Sequence, residues 1–64
     1  MRLRLREVRE AKGMSLRALA EKAGVAFTAI NRMELGKTKP RLETLERLAK
    51  ALRVGIKDLI VNGK

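Results

Sequence analysis

Between its glycines the chain places apolar residues three and four positions apart, the spacing that lines one face of an α-helix. This pattern predicts five short helices. The first runs from Arg2 to about Lys12 with Leu5 and Val8 inward, and Gly13 stands where a left-handed residue closes a helix. Ser15 has the hydroxyl of an N-cap for a second helix, Leu16 to Ala23, which buries Leu19, Ala20 and Ala23 before Gly24 stops it. In a third helix, Phe27 to about Leu35, Ile30 and Met33 share the inner face while Phe27, Thr28, Asn31 and Arg32 take the other side. Gly36 ends it. Pro40 biases Lys39 away from helical geometry, so Lys37-Thr38-Lys39-Pro40 reads as a loop and the fourth helix starts afresh. Its buried stripe is Leu42, Leu45, Leu48, Ala49 and Leu52. Gly55 can then cap a short fifth helix carrying Ile56, Leu59 and Ile60. No segment alternates with the two-residue period long enough to predict a paired strand.

Length and composition narrow the functional classes. The 64 residues suit one domain, 1–64, because so short a chain has too little interior for two cores. Absent cysteine excludes disulfides and thiolate metal sites, and absent histidine removes the commonest metal ligand and general base. With no tyrosine either, nothing resembles a catalytic constellation, and neither a cofactor nor a small-molecule substrate is expected. At 45% hydrophobic the chain is rich enough to fold, and its net charge of +9 calls for a polyanionic partner, nucleic acid before an anionic membrane surface. No apolar run approaches the roughly 20 residues that span a bilayer, and residues 1–6 lack the apolar stretch of a secretion signal. A soluble, intracellular protein is expected.

The charge is uneven. Residues 1–12 and 31–41 each carry a net +3, while the segment from 42 onward is milder. Charge runs commonly serve only to keep a surface solvated. Here their position matters more, because the second cluster spans the end of the third helix and the loop after it.

The most informative stretch is LRALAEKAGVAFTAINRMEL, residues 16–35. Ala20 allows a second helix to cross close by, Gly24 suits the positive φ of a sharp turn, and Leu19, Ala23, Val25, Ile30 and Met33 fill the angle between the two helices. With LREVREAKGM before it, and INRMELGKTKP, LETLERLAKALRV and IKDLI after it, nearly the whole chain resembles the Cro and lambdoid-phage-repressor type of helix-turn-helix, the Xre family of bacterial and phage regulators. The resemblance implies an all-α, five-helix, lambda-repressor-like DNA-binding domain with helices 2 and 3 as the motif. It implies that the third helix enters the major groove of double-stranded DNA with Phe27, Thr28, Asn31 and Arg32 toward base edges. Arg32 could take both guanine acceptors, Asn31 could pair with adenine, and Thr28 or Phe27 could touch a thymine methyl. It also implies phosphate contacts from Ser15, Arg17, Lys37, Thr38, Lys39 and Arg41, and an ion pair of Arg9 with Glu34 joining the first helix to the end of the third.

Further expectations follow from the same resemblance. The protein would act in the cytoplasm as a transcriptional regulator, a repressor by preference, and would self-associate weakly, mainly on DNA, through a patch at Ile60 and Val61; closure of the domain is the alternative for those two residues. Four positions depart from the family. Leu16 stands where relatives often carry glutamine, Ala26 replaces a Ser or Thr cap, Phe27 is apolar where polar readers are common, and Arg53 replaces a glycine. For Phe27, packing at the helix start and exposure to the groove remain equal readings, whereas Asn31, a poor helix former in mid-helix, suits an outward reader. A protein-interaction module of the same fold, antitoxin-like or bridging, is the alternative function, with Leu16 and Phe27 as its apolar patch.

Overall fold

The computed structural model describes residues 2–61, with nothing stated of the Arg2 and Val61 side chains. Four α-helices follow one another: α1 (Leu5–Ala11), α2 (Leu16–Ala23), α3 (Phe27–Glu34) and α4 (Leu42–Leu52). Around a core of Leu5, Leu19, Ile30, Leu48, Leu52 and Leu59, each almost fully buried, α2 packs against both α3 and α4. The apolar stripes thus face one another and leave the polar faces outward.

Two expectations fail at the chain ends. The predicted fifth helix is a single 3-10 turn, Ile56–Asp58, and the chain beyond it is extended. Ile60–Val61 (β2) pairs antiparallel with Arg2–Leu3 (β1), with Leu3 opposite Ile60. The first helix therefore starts at Leu5 and not at Arg2, and Arg4 N–H donates to the Leu59 carbonyl at 2.8 Å. A two-residue pair leaves no periodicity to read, and segments nearly sixty residues apart in sequence meet only after folding. Ile60 is half-buried against the core, so this side chain closes the fold; the Val61 side chain lies outside the described residues.

The helix ends share one device. After each helix a left-handed residue turns the chain, with φ near +70° at Gly13, +68° at Gly24, +76° at Gly36 and +59° at Arg53. In each case the amide after that residue bonds back to a carbonyl five residues earlier: Met14 to Arg9, Val25 to Ala20, Lys37 to Arg32 and Val54 to Ala49. Glycine adopts this geometry freely, whereas Arg53 carries strain of about 1 kcal/mol. At the helix starts, Ser15 Oγ accepts from Ala18 N–H at 3.0 Å, while Ala26 offers α3 no side-chain cap.

Leu42 corrects the predicted stripe of α4: 64% of it is exposed. Its angular position matches Leu45 and Ala49, yet it opens the helix, where no neighbouring element passes over it. Ala23, expected to be buried, is only half so, and Ala51 joins the core in addition.

Candidate nucleic-acid interface

Helix α3 is anchored from one side and bare on the other. Ile30 and Met33 are buried, while Phe27, Thr28, Asn31 and Arg32 are all exposed on one contiguous face. The turn at Gly24 sets that face outward, because α2 occupies the space behind α3. A rod with polar side chains of this length can enter a groove about 12 Å wide and reach the edges of its floor.

Cations and hydrogen-bond donors lie around this face. Lys37, Thr38, Lys39 and Arg41 are exposed in the segment that leaves α3 and enters α4. Among the described residues, Arg32, Lys37, Lys39 and Arg41 have no acidic partner within salt-bridge distance. Thr38 and Lys39 also border an open groove, with Leu3, Arg6 and Glu7 across from them. At the other end, Ser15 is exposed at the start of α2. Its oxygen serves the Ala18 amide, but its hydroxyl proton stays available to an acceptor. Nearby helix amides add partial positive charge.

The Arg17 guanidinium lies over the Phe27 ring, 5.7 Å from its centroid. Phe27 is 43% exposed, so it straddles the edge between packing and solvent and satisfies both readings in part. This stack joins the first turn of α2 to the first turn of α3. Sequence reading missed it, since no periodicity within either helix indicates a contact across the turn.

One charged pair behind this surface is buried. Arg9 Nε donates to Glu34 Oε2 at 2.8 Å and Arg9 Nη2 to Glu34 Oε1 at 3.1 Å, with side-chain exposures of 11% and 6%. Arg9 Nη1 also donates to the Met14 carbonyl at 2.8 Å. The hydrogen-bonded Glu34 carboxylate raises the Arg9 pKa above its ordinary value, more than burial lowers it. A planar guanidinium thus ties α1, the α1–α2 turn and the last turn of α3 together. A role for the Met14 carbonyl leaves no trace in sequence, because every residue has one.

Among the described residues, no three or more metal-ligating side chains gather, and no helix is long and apolar enough to cross a membrane. The sequence pattern of a helix-turn-helix family matches residues 5–59. This chain belongs to that family, in its Xre type. DdrOP3, an HTH-type transcriptional regulator of Deinococcus deserti, is 37% identical over 57 residues, 89% of this chain and 44% of that protein. This Xre-type chain thus spans less than half of that relative's length. Among solved structures, the restriction-modification controller protein C.AhdI from Aeromonas hydrophila superposes with a TM-score of 0.86 at 35% identity, over 89% of this chain and 86% of that one. The N-terminal DNA-binding domain of SinR from Bacillus subtilis gives 0.84 at 35%, over 92% and 87%.

Proposed function

We propose that this Xre-type chain binds double-stranded DNA sequence-specifically and regulates transcription, as a repressor by preference, with α3 in the major groove. The observation that carries the reading is the division of α3: Ile30 and Met33 hold it to the core while Thr28, Asn31 and Arg32 are exposed on the opposite face, with Phe27 at its edge under Arg17. The names of DdrOP3 and of the SinR domain support it.

In this mechanism two groups of residues do different work. Arg32 hydrogen-bonds guanine O6 and N7, Asn31 reads adenine, and Thr28 or the outer edge of Phe27 meets a thymine methyl; each good bidentate contact discriminates by about 1–3 kcal/mol. Lys37, Lys39, Arg41, Thr38, Ser15 and Arg17 contact phosphates, which fixes the register and gives affinity without sequence preference. Arg17 has a further part, since its stack holds the Phe27 ring at the groove mouth. The Arg9–Glu34 pair touches no DNA and sets the angle at which α3 is presented.

One such domain covers one half-site, so two copies on half-sites about 34 Å apart would supply the affinity of an operator, associating weakly and mainly on DNA. Such a regulator would work in the cytoplasm, where the chromosome lies. Selection of bound sequences from a random duplex pool, followed by gel shift against competitor DNA, tests the reading. A recovered motif bound well above competitor supports it. Equal binding of all duplexes, or none, refutes it and leaves a protein-interaction module.

A further inference from the structure

Away from α3, a shallow depression between the last turns of α2 and α4 is lined by Lys22, Ala23, Arg47, Lys50, Ala51 and Arg53. Its cations are mostly uncompensated. Arg47 approaches Glu43 at 3.6 Å, but among the described residues Lys22, Lys50 and Arg53 have no ion pair. Like charges around one depression repel one another, so this arrangement favours occupation by an anion.

A second observation, independent of the charge, comes from the backbone. Of the four left-handed residues that close the helices, three are glycine and the fourth is Arg53, with φ 59° and ψ 45°. Glycine would close α4 without strain; here the strained residue is instead a cation that borders the depression. Strained positions that the surrounding structure maintains tend to mark functional sites.

The cluster is well separated from the α3 surface. Lys22 follows Arg17 by five residues, about 140° around α2 at 100° per residue. Arg53 lies beyond the far end of α4, about 18 Å along the helix axis from Arg41 at 1.5 Å per residue. A duplex seated on α3 against Arg17 and Arg41 leaves this cluster free for something else. The apolar part of the lining is only Ala23 and Ala51, too little for the anchoring pocket that a protein partner's side chain requires. Ammonium and guanidinium groups alone suit a row of phosphates.

We propose that Lys22, Lys50 and Arg53 form a second phosphate-backbone site that takes another duplex, so that one molecule joins two DNA segments. The inference rests on the reading of α3 given above. It is tested by fixing a biotinylated duplex carrying the selected site to beads, adding protein, and measuring retention of a second, fluorescent duplex of unrelated sequence. Gel shift on the first duplex alone is run in parallel with every variant. Arg53→Gly removes a cation and relieves strain, so a loss cannot be blamed on misfolding; Lys22→Ala/Lys50→Ala/Arg53→Gly removes the cluster. The expected result is that Arg53→Gly lowers retention several-fold, the triple variant abolishes it, and single-duplex affinity stays within about twofold, with the salt slope of retention falling by about one per cation removed. Retention by the triple variant at the level of the unmodified protein overturns the proposal. So does saturable binding of poly-glutamate, but no second duplex, at the cluster, which would make the partner an acidic protein. If single-duplex binding itself is absent, the reading of α3 has failed instead.

Discussion

Arg9 and Glu34, 25 residues apart in sequence, meet through two parallel hydrogen bonds of 2.8 and 3.1 Å and are both largely withdrawn from solvent. An exposed pair would contribute under about 1 kcal/mol. A buried one behaves differently, because removing either partner strands the other's charge in a poorly solvated site.

Glu34→Ala should therefore destabilise the fold by roughly 3–5 kcal/mol. That is comparable with the whole stability typical of a domain this small, so the variant should be largely unfolded at 37 °C. Circular dichroism during heating measures it, and a drop in Tm of only a few degrees would show that the pair is solvated. The raised Arg9 pKa adds a sign to the pH dependence. Stabilisation from a raised group is fully present below its unfolded pKa and lost only as pH climbs through the folded one, so Arg9 contributes unchanged across the neutral range.

The reading and positioning residues should separate in binding assays. Arg32→Ala is expected to cost about 1–3 kcal/mol on the selected site and relax the preference at one base position, whereas Lys39→Ala should weaken all sequences alike and lower the salt slope by about one. Gel shifts on a panel of single-base operator variants distinguish the two. Identical profiles for both variants would refute the division of labour.

Salt gives a measure of the phosphate contacts as a whole. If each copy neutralises about four phosphates, through Arg17, Lys37, Lys39 and Arg41, a pair on an operator should show log affinity falling against log salt with a slope near −7. Fluorescence anisotropy across a salt series reads the slope directly, and a value near zero is incompatible with the proposed interface.

Two substitutions should stabilise the protein through local geometry. Ala26 has extended backbone angles and no capping hydroxyl, so Ala26→Ser should contribute about 1 kcal/mol by accepting an orphan amide of α3. Arg53→Gly should gain a similar amount by removing left-handed strain. For a domain of this size, each kcal/mol corresponds to about 4–8 °C in Tm. An unchanged or lowered Tm in either would show that the backbone reading at that helix end is wrong.

The hydrophobic pattern by itself determined the four α-helices and the two faces of α3. Ile30 and Met33 in α3, and Leu45, Leu48 and Leu52 in α4, recur at helical spacing, which puts each set on one side of its own helix. Gly13, Gly24 and Gly36 marked three helix ends, because the left-handed angle they adopt disfavours other residues. Tertiary structure decided what depends on contact between distant segments. It replaced a predicted fifth helix with a 3-10 turn and a strand pair, left Leu42 exposed although its spacing matches the core, laid Arg17 over Phe27, and drew Lys22, Lys50 and Arg53 to one depression. Periodicity reports the face a residue occupies on its own helix. Whether another element covers that face is fixed only when the helices pack.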